Sequence, residues 1–253
     1  MRFASLGSGS RGNATLVEGG GTRILVDCGF SARELEHRLR GLEVAPDSLD
    51  ALLVTHEHGD HARGVAAVAR RHGLAVWATP GTGRAAGFSE VLDFHLFSCH
   101  GGPFRIGDLW ITPFAVPHDA AEPCQYVIGD GRSRVGLLTD TGAFTPHILS
   151  CLHQVDALIL ECNHDSGMLA RGPYPPALRA RVGGGQGHLS NAQAAAILAR
   201  LDHPGLRHLA VAHLSEKNNH PDLARQALLQ VSASLESRMS VLSQDEPSGW
   251  FSL

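Results

Sequence analysis

Thr55-His56-Glu57-His58-Gly59-Asp60-His61 follows directly on the apolar run Ala51-Leu52-Leu53-Val54 and gathers three imidazoles and the Asp60 carboxylate within six residues. The apolar run reads as a short buried strand, so the cluster sits where a strand ends. Side chains of an extended chain alternate with period two, which sends His56 and His58 to one side. Beyond the Gly59 turn, Ala62, Val65, Val68, Ala69 and His72 recur at three- and four-residue spacing, which predicts a helix that Asp60 and His61 open. Ligand pairs delivered from a strand end and a helix start can hold two cations, one per pair. Imidazole and carboxylate without thiolate suit Zn, Mn or Fe. A polar turn that happens to be His-rich does not account for this density and order of ligand types, so the stretch reads as a metal site.

The chain has 253 residues and no long Ser/Gly/Pro linker or charge block, which predicts one domain over residues 1–253. The N-terminal Met1-Arg2-Phe3-Ala4-Ser5-Leu6-Gly7 is too short in its apolar run for a signal peptide, and no apolar segment is long enough to span a membrane, so a cytoplasmic protein without membrane attachment is expected. Five cysteines, an odd number without a C-x-x-C pair, argue against a disulfide framework or thiolate zinc knuckle. A formal charge of −4 gives no global attraction to polyanions, so any nucleic acid must be gripped locally. Nothing in the composition identifies a protein partner.

Other strands also end on polar residues. Arg23 to Gly29 delivers Asp27, placed to orient a ligand imidazole by a hydrogen bond. Leu109 to Val116 delivers His118, Arg134 to Leu138 delivers Asp140, and Leu206 to Ala212 delivers His213. The strand Ala157 to Glu161 leads to Asn163, His164 and Asp165. Ser31 with Glu34, and Ser190 with Gln193, predict capping boxes for two helices, and the second leaves His188 just outside a helix N-terminus. Pro80 to Gly87, Arg171 to Pro176 and Gly183 to His188 read as loops. The Gly7 to Asn13 segment reads as a tight turn, or as a loop in which Ser10, Arg11 and Asn13 face substrate phosphate. His100 competes with His118 as a ligand, and His37, His72, His95, His147, His153, His203 and His208 carry no predicted site role.

The order of Asp27, His56-x-His58-x-Asp60-His61, His118, Asp140 and His213 closely resembles the five ordered motifs of the metallo-β-lactamase-fold hydrolases, across essentially the whole chain. The resemblance implies an αββα sandwich of two mixed sheets flanked by helices, with the site at the sheet edge. It further implies that His56, His58 and His118 hold one divalent cation, Zn or Mn, and that Asp60, His61 and His213 hold a second, with Asp140 bridging. Ser8-Gly9-Ser10-Arg11-Gly12-Asn13, Asn163-His164-Asp165, Gly172-Pro173-Tyr174, Gly187-His188-Leu189-Ser190-Asn191 and His213-Leu214-Ser215 are similar to the YycJ/WalJ-like branch, which is linked to DNA exonuclease activity. Residues 177–185 are looser and richer in glycine than that branch suggests.

The expectation is a dinuclear phosphodiester hydrolase, acting as a 5′-to-3′ DNA exonuclease through a hydroxide shared between the metals. Asp60, Asp140 and His188 are its candidate catalytic residues. Ser10, Arg11, Asn13, Asn163, His164, Asp165, Ser215 and Lys217 are its candidate substrate contacts. The position of His188 resembles that of the histidine credited with leaving-group protonation in tRNase Z-type relatives. The rivals are a small-molecule metallohydrolase, either a cyclic phosphodiesterase or a glyoxalase II-type thioesterase, and a regulatory module that binds metal without turnover.

Overall fold

The computed structural model describes residues 1–201 and 204–253, so His203 lies outside the described residues. The first sheet contains β1 (Arg2–Gly7), β2 (Ala14–Gly19), β3 (Thr22–Val26), β4 (Ala51–Leu53), β5 (Ala75–Ala78) and β6 (Phe94–Leu96), in that spatial order. The second contains β7 (Phe104–Ile106), β8 (Leu109–Ala115), β9 (Cys124–Gly129), β10 (Arg134–Leu138), β11 (Ala157–Glu161), β12 (His208–Ala212) and β13 (Met239–Val241), again ordered as in the chain. The C-terminal β14 (Phe251–Ser252) returns to pair with β1. Both sheets are mixed and repeat one plan. Antiparallel strands come first, then parallel ones, β3 to β6 in one sheet and β10 to β13 in the other.

Strand alternation explains the layers. In β3, Ile24 and Val26 point toward the second sheet, where Tyr126, Ile128, Leu137 and Ile159 meet them, while Leu25 faces the opposite way. Leu25 and Leu52 are covered by Leu35 and Leu39 of α1 (Ala32–Gly41), and the same cluster includes Val65 and Val68. Outside the second sheet, Leu158 and Leu160 pack with residues of helices further along the chain. Both faces of each sheet are therefore buried, which is why the parallel strands read as uninterrupted apolar runs. Full burial of a leucine such as Leu35 contributes about 1.5–3 kcal/mol. The result is helices, sheet, sheet, helices, the αββα sandwich expected.

Local departures from the sequence reading have local causes. The helix after the histidine cluster is split into α2 (Gly59–Ala62) and α3 (Val65–His72). Between them the chain presses against the segment after β3: the Gly64 N–H donates to the Cys28 carbonyl, and a Cβ on Gly64 would lie 1.9 Å from the Phe30 carbonyl oxygen. Pro80 to Gly87, read as a turn, contains α4 (Pro80–Ala85), started by Pro80 and capped by Thr79. The apolar and aromatic stretch Val91 to Phe97, which alone suggests a longer strand, contributes only the three residues of β6. Thr145 caps a helix that the sequence reading missed, α5 (Pro146–Leu152). The helices α6 (Ser166–Arg171) and α7 (Pro176–Val182), which the sequence reading missed, lie on either side of the loop read from Arg171 to Pro176.

The capping box at Ser31 is half formed, because the Glu34 carboxylate pairs with Arg38. That at Ser190 is complete and starts α8 (Asn191–Leu198), whose Ile197 packs outside the second sheet beside Leu228 of α9 (Pro221–Leu229). Gly183 to Gly187, read as flexible, is tightly placed. A Cβ on Gly187 would lie 2.2 Å from the Arg181 carbonyl oxygen, and one on Gly142 would lie 2.4 Å from the Gly185 carbonyl carbon. These glycines serve close backbone approach.

Candidate metal centre

The polar cluster forms at the C-terminal ends of the strands. Asp27 follows β3, His56 follows β4, His118 follows β8, Asp140 follows β10, Glu161 ends β11 and His213 follows β12. Asp27, Asp140 and His213 adopt positive φ values of 62, 50 and 54°. A non-glycine residue held there costs about 1–3 kcal/mol, and at these three strand ends the sharp backbone turn accompanies a side chain placed in the cluster.

The nitrogen and oxygen atoms that could hold metal fall into overlapping groups. Donor atoms of His56, His58 and His118 lie within 4.8 Å of one another, as do those of Asp60, His61 and His213, and Asp140 groups with His56 and His61. His118 Nε2 comes 3.2 Å from His58 Nδ1, and Asp140 Oδ2 comes 3.2 Å from His61 Nε2. His56 Nε2, His213 Nε2 and Asp140 Oδ2 are buried without a hydrogen-bond partner. An orphaned buried polar atom costs about 1–3 kcal/mol unless something binds it. Converging imidazole and carboxylate atoms left unpaired fit borderline divalent cations. His100 is exposed in the loop before β7 and has no part in the cluster.

On four of the five ligand rings the edge away from the cluster is fixed by the protein, His58 being the exception. Asp27 Oδ2 accepts from His61 Nδ1 and from Thr55 Oγ1, both at 2.8 Å, and Thr55 Oγ1 lies 2.9 Å from His56 Nδ1. His118 Nδ1 donates to the Gly187 carbonyl at 3.1 Å, and His213 Nδ1 donates to Glu161 Oε1 at 3.0 Å. Each contact holds the proton on Nδ1 and leaves Nε2 to face the cluster. Glu161, read only as the end of a strand, carried no predicted site role. It is wholly buried, accepts from His188 Nδ1 at 2.8 Å on the same oxygen, and accepts the Thr141 and Leu189 N–H groups on the other. A carboxylate ending the apolar run Ala157 to Leu160 was the same kind of signal as Asp27.

Electrostatics follow this wiring. Burial and the neighbouring His61 push the His56 imidazole well below its ordinary value, and burial also lowers His118. Burial would lower His61 and His213 too. Instead Asp140 and Asp27 raise His61 well above its ordinary value, and Asp140, Asp60 and Glu161 raise His213 to about 10. Burial would raise Asp140, but His213 and His61 hold it well below the carboxylate range. Burial opposes ionisation of Glu161 as well, yet His188 and His213 bring it down to about 2. His188 is raised because Glu161 and Asp140 outweigh its desolvation.

Beside the cluster lies a cleft of about 430 Å³, lined among others by Ser10, Asn163, Ser215, Tyr174 and Arg181. Of the expected substrate contacts, Ser10, Asn163 and Ser215 reach it. The Arg11 guanidinium is turned to Glu216 at 2.6 Å and Asp245 at 2.8 Å. Asn13 is buried and bonds Gly9 and the Asp60 carbonyl, tying its loop to the metal-ligand segment. His164 is buried with its backbone bridged to Ser190, Asp165 caps α6, and Lys217 is exposed outside the lining. Arg181, Tyr174 and Asp119, which carried no predicted role, do line the cleft.

Residues 22–213 match the beta-lactamase superfamily domain. The fold agrees with YhfI, a metallo-beta-lactamase fold protein from Bacillus subtilis, at a TM-score of 0.75 and 19% identity over 97% of each chain. The exodeoxyribonuclease YycJ of Bacillus anthracis is 34% identical over 91% of this chain and 89% of its own length. The exodeoxyribonuclease WalJ of Streptococcus pneumoniae is 34% identical over 90% of this chain and 87% of its own. This chain therefore belongs to the metallo-β-lactamase-fold hydrolase superfamily, in its YycJ/WalJ-like branch.

Proposed function

We propose that this protein is a dinuclear metal-dependent phosphodiesterase that degrades DNA as a 5′-to-3′ exonuclease. The observation that carries the hydrolytic reading is the set of seven residues, His56, His58, Asp60, His61, His118, Asp140 and His213, whose donor atoms converge while several lack any protein partner. His56, His58 and His118 would hold one cation and Asp60, His61 and His213 the other, with Asp140 reaching both and Zn or Mn as the metal. Bound there, two such cations supply an activated water and neutralise charge on a phosphoryl oxygen. The choice of DNA and of exonucleolytic attack is supported by the names of the relatives, and the 5′-to-3′ direction is the expectation carried by the resemblance. A DNA substrate implies a cytoplasmic enzyme, and among the described residues no helix is long and apolar enough to cross a membrane. The apolar layer shared by both sheets supports reading residues 1–253 as one domain.

The chain's own groups divide the remaining work. Asp27, Thr55, Glu161 and the Gly187 carbonyl orient the ligand imidazoles. His188 lines the cleft with Nδ1 committed to Glu161, so its Nε2 is the nitrogen available to protonate the departing sugar oxygen. Ser10, Asn163 and Ser215 offer polar groups to the phosphate backbone. Turnover by metal-loaded protein on 5′-labelled single- and double-stranded DNA, RNA, a cyclic nucleotide and a thioester tests the reading. Shortening of DNA from its 5′ end is expected. Turnover confined to the cyclic nucleotide or thioester would replace it with a small-molecule hydrolase, and none on any substrate with a regulatory module.

A further inference from the structure

The stretch from Ser166 to Gly187 carries Arg171, Arg179 and Arg181 and no acidic residue, in a chain whose net charge is −4. It contributes α6, α7 and the glycine turn that leads to His188, and it sends Tyr174, Leu178, Arg181 and Val182 into the cleft lining. Its position is fixed. Arg179 donates to the Ala170 carbonyl and joins the two helices, while the His188 N–H donates to the Val182 carbonyl and joins α7 to the site.

Arg181 stands at the mouth with 59% of its side chain exposed. Its Nε donates to Asp119 Oδ2, and Asp119 Oδ1 lies 3.6 Å from His118 Nε2. A guanidinium has five N–H donors in a planar fork, and among the described residues both terminal nitrogens of Arg181 are without a hydrogen-bond partner. Arg11 differs, since its Nη2 is shared between two carboxylates. Tyr174 offers a half-buried aromatic ring in the same cleft.

We propose that Arg181 and Tyr174 grip the single strand leading to the scissile bond, the terminal guanidinium N–H groups on a neighbouring phosphate and the phenol ring against a neighbouring base. Resting on the DNA-hydrolase reading, this names the strand-binding residues of that same site. Phosphate contacts by arginine are bidentate and salt-sensitive, whereas stacking on an aromatic ring tolerates any base and any salt. The two residues therefore leave different signatures.

Metal-loaded full-length protein is titrated with a labelled phosphorothioate oligothymidylate, which resists cleavage, over a series of KCl concentrations. Arg181→Gln should weaken binding and make the slope of log Kd against log salt shallower by about 0.7. Arg181→Lys, which keeps the charge and controls for folding, should retain most of the slope. Tyr174→Ala should weaken binding about fivefold or more with the slope unchanged, and Tyr174→Phe should restore it. If the wild type binds and degrades DNA while Arg181→Gln and Tyr174→Ala both match it, the grip lies elsewhere and the hydrolase reading stands. A wild type that neither binds nor degrades nucleic acid overturns both.

Discussion

Replacing Glu161 with glutamine exchanges one oxygen for an amide nitrogen at the most connected point of the site. The carboxylate accepts four hydrogen bonds, from His188 Nδ1, His213 Nδ1, Thr141 N and Leu189 N, with no exposed surface. Glutamine is isosteric but has one accepting oxygen, so either amide orientation turns an N–H pair toward two buried donors. Two unpaired donors at about 1–3 kcal/mol each, together with loss of the charge facing His188 and His213, predict about 3–5 kcal/mol of destabilisation in the metal-free protein. Thr141 adjoins Asp140 and Leu189 adjoins His188, so metal affinity should also fall by about 10- to 100-fold.

Urea denaturation of metal-free wild type and Glu161→Gln gives the first quantity and competition with a chromogenic chelator the second. The difference depends on pH. Held to about 2 in the fold against an ordinary 4.5, the carboxyl contributes stability that is complete above pH 4.5 and is lost as pH falls toward 2. The gap between the two proteins should close across that window. A variant within 1 kcal/mol of wild type at pH 7, with unchanged metal affinity, would refute the view that this carboxylate organises both histidines.

Two further outcomes follow from single contacts. His188→Ala should keep its metals and lose about 10²- to 10⁴-fold in turnover on DNA, but much less on a diester with a p-nitrophenolate leaving group, which needs no proton; equal losses would make His188 a binding residue. Gly29→Ala places a Cβ 1.9 Å from the Asp60 carbonyl oxygen, so stability measured by denaturation should fall by about 1–3 kcal/mol and bound metal should decrease, and a variant with wild-type metal content would show that this close approach is dispensable.

The sequence exposed what short-range chemistry encodes. Ligands packed as densely as His56 to His61 declare themselves, strands buried on both faces stand out as apolar runs before Asp27, Asp140 and His213, and the half-exposed β8 leads to His118. What it hid depends on partners far along the chain. Arg11 looked like a phosphate contact because nothing nearby marks Glu216 or Asp245 as its partners. Glu161 escaped notice because its value comes from two histidines 27 and 52 residues away. In the segment from Ser166 to Gly187, the run Gly183 to Gly187 looked like flexible loop because its glycines resemble linkers, whereas they permit close contact of the backbone with Gly142 and with α7. Arg181 and Tyr174 become cleft residues only once that segment is folded over the site.

The central claim is that seven side chains hold two divalent cations in one hydrolytic site. Elemental analysis of protein reconstituted with Zn or Mn, freed of excess metal by gel filtration and assayed in parallel, tests it most directly. The account predicts close to two equivalents per chain in the wild type, and in His58→Ala a loss of metal together with activity. A single equivalent accompanied by full activity would contradict it.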